Sequence, residues 1–180
     1  MKFFLLIVLL ITKVSFSQTN LDFGKVSGSN VCADSVDPKT CQSKNQLEIQ
    51  LTRVSGLTGI YDRVFLFYDG FKWKAKKEES DLAHSTIKAY ALKPLSNFDT
   101  IFNVLKSNKL FILPDQQELK NVQGSVDDGY EYTLFFKAGD QFRVYEFNNP
   151  DIYITYNKNI PEFTNYLKIV EILFSGLKEE

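Results

Sequence analysis

The stretch YDRVFLFYDGFKWKAKK, residues 61–77, decides what kind of fold this chain makes. Asp69-Gly70 is a two-residue turn signal between two runs rich in aromatic and β-branched residues, so the chain is predicted to fold back there as a β-hairpin. The expected register sets Tyr68 opposite Phe71, Leu66 opposite Trp73 and Val64 opposite Ala75, all on one face. The other face then pairs Phe67 with Lys72 and Phe65 with Lys74. A slip of one residue would place Trp73 among the lysines, so the register is strongly specified.

Outward from this hairpin the chain keeps alternating. Upstream, QLEIQLTR (46–53) sets Leu47, Ile49 and Leu51 against Glu48, Gln50 and Thr52, a strand with one wet face. Downstream, STIKAYAL (85–92) reads as a further strand closed by Lys93-Pro94. Ser96 is the expected N-cap of a helix carrying Phe98, Ile101, Phe102 and Leu105 at helical spacing. Residues 114–124 are polar and loop-like.

A second hairpin starts at DDGYEYTLFFKAGD (127–140), where Asp128-Gly129 leads into the strand. A three-residue loop, Ala138-Gly139-Asp140, is expected to set Phe136 against Phe142 and Leu134 against Val144. Asp127 and Asp128 are neighbours that point different ways, a poor acid/base pair. No twelve-residue calcium-loop pattern accompanies them. Asn148-Asn149-Pro150 stops the last strand, and DIYITYN leads to a helix with Pro161 in its first turn and Gly176 as C-cap. Its broad stripe includes Phe163, Tyr166, Val170, Leu173 and Leu177.

These elements predict an α+β fold, a largely antiparallel sheet with two main helices packed on one face. The chain has 180 residues with 16 Phe, 9 Tyr and one Trp, and 44% hydrophobic against 24% charged residues defines a globular rather than a disordered chain. No Gly/Ser/Pro linker divides it, so residues 46–180 are expected to form a single α+β domain, preceded by an N-terminal loop segment over 18–45.

Residues 1–17 read as a signal peptide. Lys2 supplies the positive start, Phe3 to Ile11 an apolar run too short to span a bilayer, and Ser15 and Ser17 the small residues before cleavage at Gln18. No cysteine follows for lipid attachment, and no transmembrane segment is expected in the mature chain. The expected location is exported, periplasmic or extracellular. Losing Lys2 and Lys13 takes the net charge from −1 to −3, which gives no basis for nucleic acid binding.

The only cysteines, Cys32 and Cys41, bracket a loop with Asp34, Ser35, Asp37 and Pro38. An oxidising compartment favours a disulfide between them, contributing about 2–3 kcal/mol. Zinc would need four ligands, and with one histidine, His84, no metal site and no cofactor is expected. No GxSxG elbow, Walker loop or GxGxxG fingerprint is present.

The runs LFILPDQ (110–116), DDGYEYTL (127–134), VYEFNNP (144–150) and PEF…LKIVEIL (161–173) resemble a group of exported proteins from Bacteroidota and related Gram-negative bacteria, and the VSFSQ leader (14–18) is similar to signals of that group. The resemblance covers about the second half of the chain, rests on turns and core positions, and implies no activity and no catalytic residue.

A non-catalytic binding or interaction module of the cell envelope is the expectation that fits best. Its candidate surface comprises Phe65, Phe67, Lys72 and Lys74 on the first hairpin and Tyr145 and Phe147 on the second, all read as lying opposite the packed face. The partner class is protein, peptide or glycan. The alternative is a hydrolase acting on envelope or extracellular polymers through Asp/Glu carboxylates, which the sequence does not pick out among 22 acidic residues.

Overall fold

Leu47, Ile49 and Leu51 are almost fully buried in the centre of a sheet, where the alternation of their strand places them. The computed structural model describes residues 21–31, 41–81 and 86–180. Its elements run β1 (Leu47–Ser55), β2 (Tyr61–Tyr68), β3 (Trp73–Asp81), β4 (Thr86–Pro94), α1 (Phe98–Ser107), a 3₁₀ turn (Gln116–Glu118), β5 (Tyr130–Ala138), β6 (Gln141–Asn148), α2 (Pro150–Tyr156), α3 (Pro161–Ser175) and β7 (Leu177–Glu179). The seven strands form one antiparallel sheet in the order β6-β5-β1-β2-β3-β4-β7, so the fold is α+β.

Among the described residues, helices α1 and α3 pack on one face of the sheet. Trp73 stacks on Phe98 of α1 with ring centroids 5.9 Å apart, and Phe147 stacks on Tyr166 of α3 at 4.5 Å. Ile101, Phe102 and Leu105 of α1 and Phe163, Tyr166, Ile169, Val170 and Leu173 of α3 close over the sheet's apolar positions. α1 is capped by Asn97, one residue past the expected Ser96; its side chain accepts from the Thr100 N–H at 2.7 Å.

Both hairpin registers differ from the sequence reading, with unequal consequences. β2 and β3 pair Tyr68 with Trp73, Leu66 with Ala75, Phe67 with Lys74 and Phe65 with Lys76. The connection is the four-residue Asp69–Lys72 loop, because the Asp69 carboxylate accepts from both the Phe71 and Lys72 N–H groups at 2.9 Å. That shift is even, so every side chain keeps its face.

In the second hairpin the loop is Gly139-Asp140, with Gly139 at φ 61°, and β6 slips by one. Leu134 now faces Tyr145 and Tyr132 faces Phe147, which turns Tyr145 and Phe147 into the core at 1% and 3% exposure. This register puts Tyr145 and Phe147 under the helices and keeps Glu146 exposed, whereas the expected one would set Glu146 on the covered face beside Phe142 and Val144. The place of Tyr145 and Phe147 on a candidate surface is therefore corrected: both belong to the helix-covered face.

Three further features depart from expectation. DIYITYN lies mainly in α2, started by Pro150 at its first position. Leu177, expected on the last helix, begins β7 and pairs with Pro94. The wet face of β1 is also drier than its residues suggest, since Glu48 is only 4% exposed. Of the N-terminal segment, Leu21, Phe23 and Val26 pack against the core, and Ser29 bridges Phe142 on β6.

Candidate functional site

Among the residues expected on an interaction surface, the structure keeps Phe65, Phe67, Lys72 and Lys74 on the helix-free face or its adjoining loop. Phe65 and Phe67 are half-buried and stacked, their centroids 5.8 Å apart. The Lys76 ammonium sits 4.1 Å from the Phe65 ring and bonds Glu78 at 2.6 Å, and Arg63 lies 3.9 Å from the same carboxylate. This charged row flanks a cleft of about 270 Å³ that also reaches Gln50 and Phe135. Phe67 with Lys72, Lys74, Asp69 and Asn45 borders a shallower one of about 240 Å³.

Behind that face lies a buried polar pair. Glu48 on β1 stands directly opposite Lys137 on β5, and both are nearly inaccessible. The Lys137 ammonium donates to the Ser43 carbonyl and, at 2.7 Å, to that of Asn45, whose side chain donates to Glu48 at 2.7 Å. Burial lowers the Lys137 pKa, with Glu48 and Asp140 pushing it back up.

A larger concavity lies elsewhere, a groove of about 660 Å³ along β6 that adjoins another of about 440 Å³ and shares Asp115 and Gln117 with it. It arises because β6 is an edge strand. Phe142 exchanges both backbone bonds with Ser29, at 2.8 and 2.9 Å. Further along, Glu146 N–H donates to the Asp115 carboxylate at 3.0 Å and Asn148 N–H to the Gln116 side chain at 2.8 Å. Val144 lies between these tethers. The register turns its N–H and C=O the same way as those of Phe142 and Glu146, and neither group has a partner among the described residues.

The acidic groups in this groove already hold the chain itself. Asp115 caps the 3₁₀ turn by accepting from Gln117 N–H at 2.9 Å, and Glu118 closes the box by accepting from Asp115 N–H at 3.0 Å. Arg143 reaches Glu118 at 3.3 Å and the Ser27 hydroxyl at 3.0 Å. Each carboxylate is thus positioned by backbone donors rather than aimed at a shared point where a water or a glycosidic oxygen would sit.

Asp127, Asp128 and Glu131 are exposed at the start of β5, as their positions suggested. Among the described residues no group of three His, Cys, Asp or Glu side chains is arranged to hold a metal ion, and no helix is long and apolar enough to cross a membrane. Cys32 and His84 lie outside the described residues, and with Cys32 the expected Cys32–Cys41 pairing does too.

Comparison with known proteins finds no matching family model, no matching curated protein and no matching solved structure. The sequence reading missed the β6 groove. Its one signal was Asp115 three residues before Glu118, a capping-box spacing inside a stretch read as loop.

Proposed function

We propose that the chain is an exported, non-catalytic binding module of the cell envelope, and that its site is the groove along β6, occupied by an extended peptide segment of a partner protein. The observation that carries this reading is Val144: an edge-strand residue beside the groove, between two tethered stretches, whose outward backbone donor and acceptor have no partner among the described residues. An extended segment satisfies such groups by β-addition. Phe142, Val144 and the exposed Val31 offer apolar contact on one side, while Asp115, Glu118 and the Arg143 paired with Glu118 leave the lining with one net negative charge, which favours a basic side chain in the ligand. Export rests on the leader over residues 1–17.

The alternative hydrolase would use the same carboxylates, but their engagement in caps supports binding over acid/base work. The test is panning of a random peptide display library against the mature protein, followed by titration of the recovered peptide. Val144→Pro removes the outward donor without touching the β5 ladder, and is expected to abolish peptide binding. A peptide that binds both forms equally, or release of reducing ends or amines from envelope polymers that Glu118→Gln stops, overturns the proposal.

A further inference from the structure

At one end of the sheet the lysines line up without counter-charges. β4 and β7 set Lys93 directly opposite Lys178, and the β3–β4 register, carried one step past Ala75 and Leu92, sets Lys74 beside Lys93. Three ammonium-bearing side chains thus follow one another across β3, β4 and β7 on the helix-free face, all exposed, with Lys72 exposed in the adjoining loop. Like charges directly opposite each other on a sheet are destabilising. No carboxylate among the described residues pairs with any of the four. Asp69, in the same loop, is committed to the N–H groups of Phe71 and Lys72, and Glu180, two residues past Lys178, pairs with none of them. The row keeps a positive excess.

Beyond the same end, two large apolar side chains stand outside the core. Phe71, in the loop between β2 and β3, is 63% exposed, and Leu95, just past β4, is 60% exposed. They lie on the same side of the molecule, because β3 begins at Trp73 beside the place where β4 ends at Pro94. The loop is held in this shape: the Phe71 N–H donates to Asp69 at 2.9 Å, and the Tyr68 hydroxyl donates to the Gly70 carbonyl at 3.1 Å.

We propose that this end of the sheet docks on an anionic lipid surface, with Phe71 and Leu95 entering the interface and Lys72, Lys74, Lys93 and Lys178 resting on the headgroups. A soluble polyanion would use the lysines and leave the two apolar side chains in water. An apolar protein surface would cover Phe71 and Leu95 and leave the lysine row uncompensated. A bilayer with negative headgroups takes both, the charges at its surface and the apolar tips just beneath. The docking is peripheral, and it relieves the repulsion between Lys93 and Lys178 by placing phosphate beside them.

Co-sedimentation of the mature chain with lipid vesicles reads this directly. Vesicles of about 30% phosphatidylglycerol in phosphatidylcholine are expected to bind it and pure phosphatidylcholine not to, with weaker binding at about 1 M salt, where the screening length is about 3 Å. Lys93→Gln together with Lys178→Gln is expected to weaken binding by more than about tenfold, at about fivefold per lysine. The same pair of substitutions removes the opposed charges and is expected to raise the melting temperature, so lost binding is not lost folding. Phe71→Ser is expected to weaken binding by about fivefold or more, with an unchanged circular dichroism spectrum. Equal binding to both kinds of vesicle, or no binding at any lipid concentration up to about 5 mM, overturns the proposal. So does binding that is indifferent to either variant; indifference to Phe71→Ser with release by soluble polyphosphate would make the ligand a soluble polyanion.

Discussion

Asn149 and Gly129 interlock where β5 begins. Gly129 sits at φ 133°, and a Cβ placed on it would come within 1.9 Å of the Asn149 side-chain oxygen, which accepts from Tyr130 N–H at 2.8 Å. Gly129→Ala meets both the backbone strain and the collision, and is expected to cost about 2–4 kcal/mol in urea unfolding. Asn149→Ala loses the bond to a backbone donor and is expected to cost about 1–2 kcal/mol. The double variant should cost less than the two single costs added, because removing the Asn149 side chain makes room for the new methyl.

Asp127 and Glu131 stand beside this interlock and are exposed. Replacing either with alanine is expected to change stability by less than about 1 kcal/mol. Melting curves of the wild type and Asp128→Ala, with and without about 1 mM calcium, are expected to coincide. A rise of many degrees in the wild type alone would make this stretch a metal site.

Lys137 holds Glu48 in check inside the sheet. Lys137→Met keeps the stem and removes the charge, leaving a buried carboxylate that accepts from the Asn45 side chain. The expected loss is about 2–4 kcal/mol at neutral pH. Glu48→Gln with Lys137→Met should recover part of it, a coupling that a double-mutant cycle measures.

Tyr145 and Tyr166 set the alkaline limit. Burial raises both phenol pKa values, and the hydroxyls donate to the carbonyls of Leu110 at 3.3 Å and Pro114 at 2.6 Å. A folded value above the unfolded one of about 10 means that the unfolded chain loses these protons first. Their contribution is present in full below about pH 10 and is lost as pH rises toward the folded values. Stability measured from pH 8 upward should therefore fall past about 10, less steeply in Tyr166→Phe, which also loses about 1 kcal/mol at neutral pH with its hydrogen bond.

Faces were more legible than loops. Leu47, Ile49, Leu51, Val64 and Leu66 declare a buried side by strict alternation, and the two-residue error at Asp69-Gly70 left them all in place. Around Gly139 the same kind of error, odd instead of even, inverted β6, because QFRVYEF carries apolar residues on both faces and so does not specify its own register. The first-hairpin aromatics were located correctly for that reason, and Tyr145 and Phe147 were not. β7 was hidden because Leu177 fits a helical stripe as well as a strand; only its pairing with Pro94 decides. The β6 groove depends on tethers from residues 29, 115 and 116, between 26 and 113 positions away from Phe142, and distances of that kind leave no local pattern.

The position of β1 also governs the order in which the molecule can be made. β1 occupies the middle of the sheet, yet one of its two neighbours, β5, starts at Tyr130, and the pairing of Leu47 with Ala138 spans 138 − 47 = 91 positions, half of the 180-residue chain. A growing polypeptide can close the β1–β4 meander early, but the flank of β1 that receives β5 stays open until Tyr130–Ala138 has been synthesised. Pairing over such separations is slow, and the early meander carries an unpaired apolar flank in the meantime. Until Ala138 is made, that flank of β1 can pair with an edge of another growing copy instead of with β5.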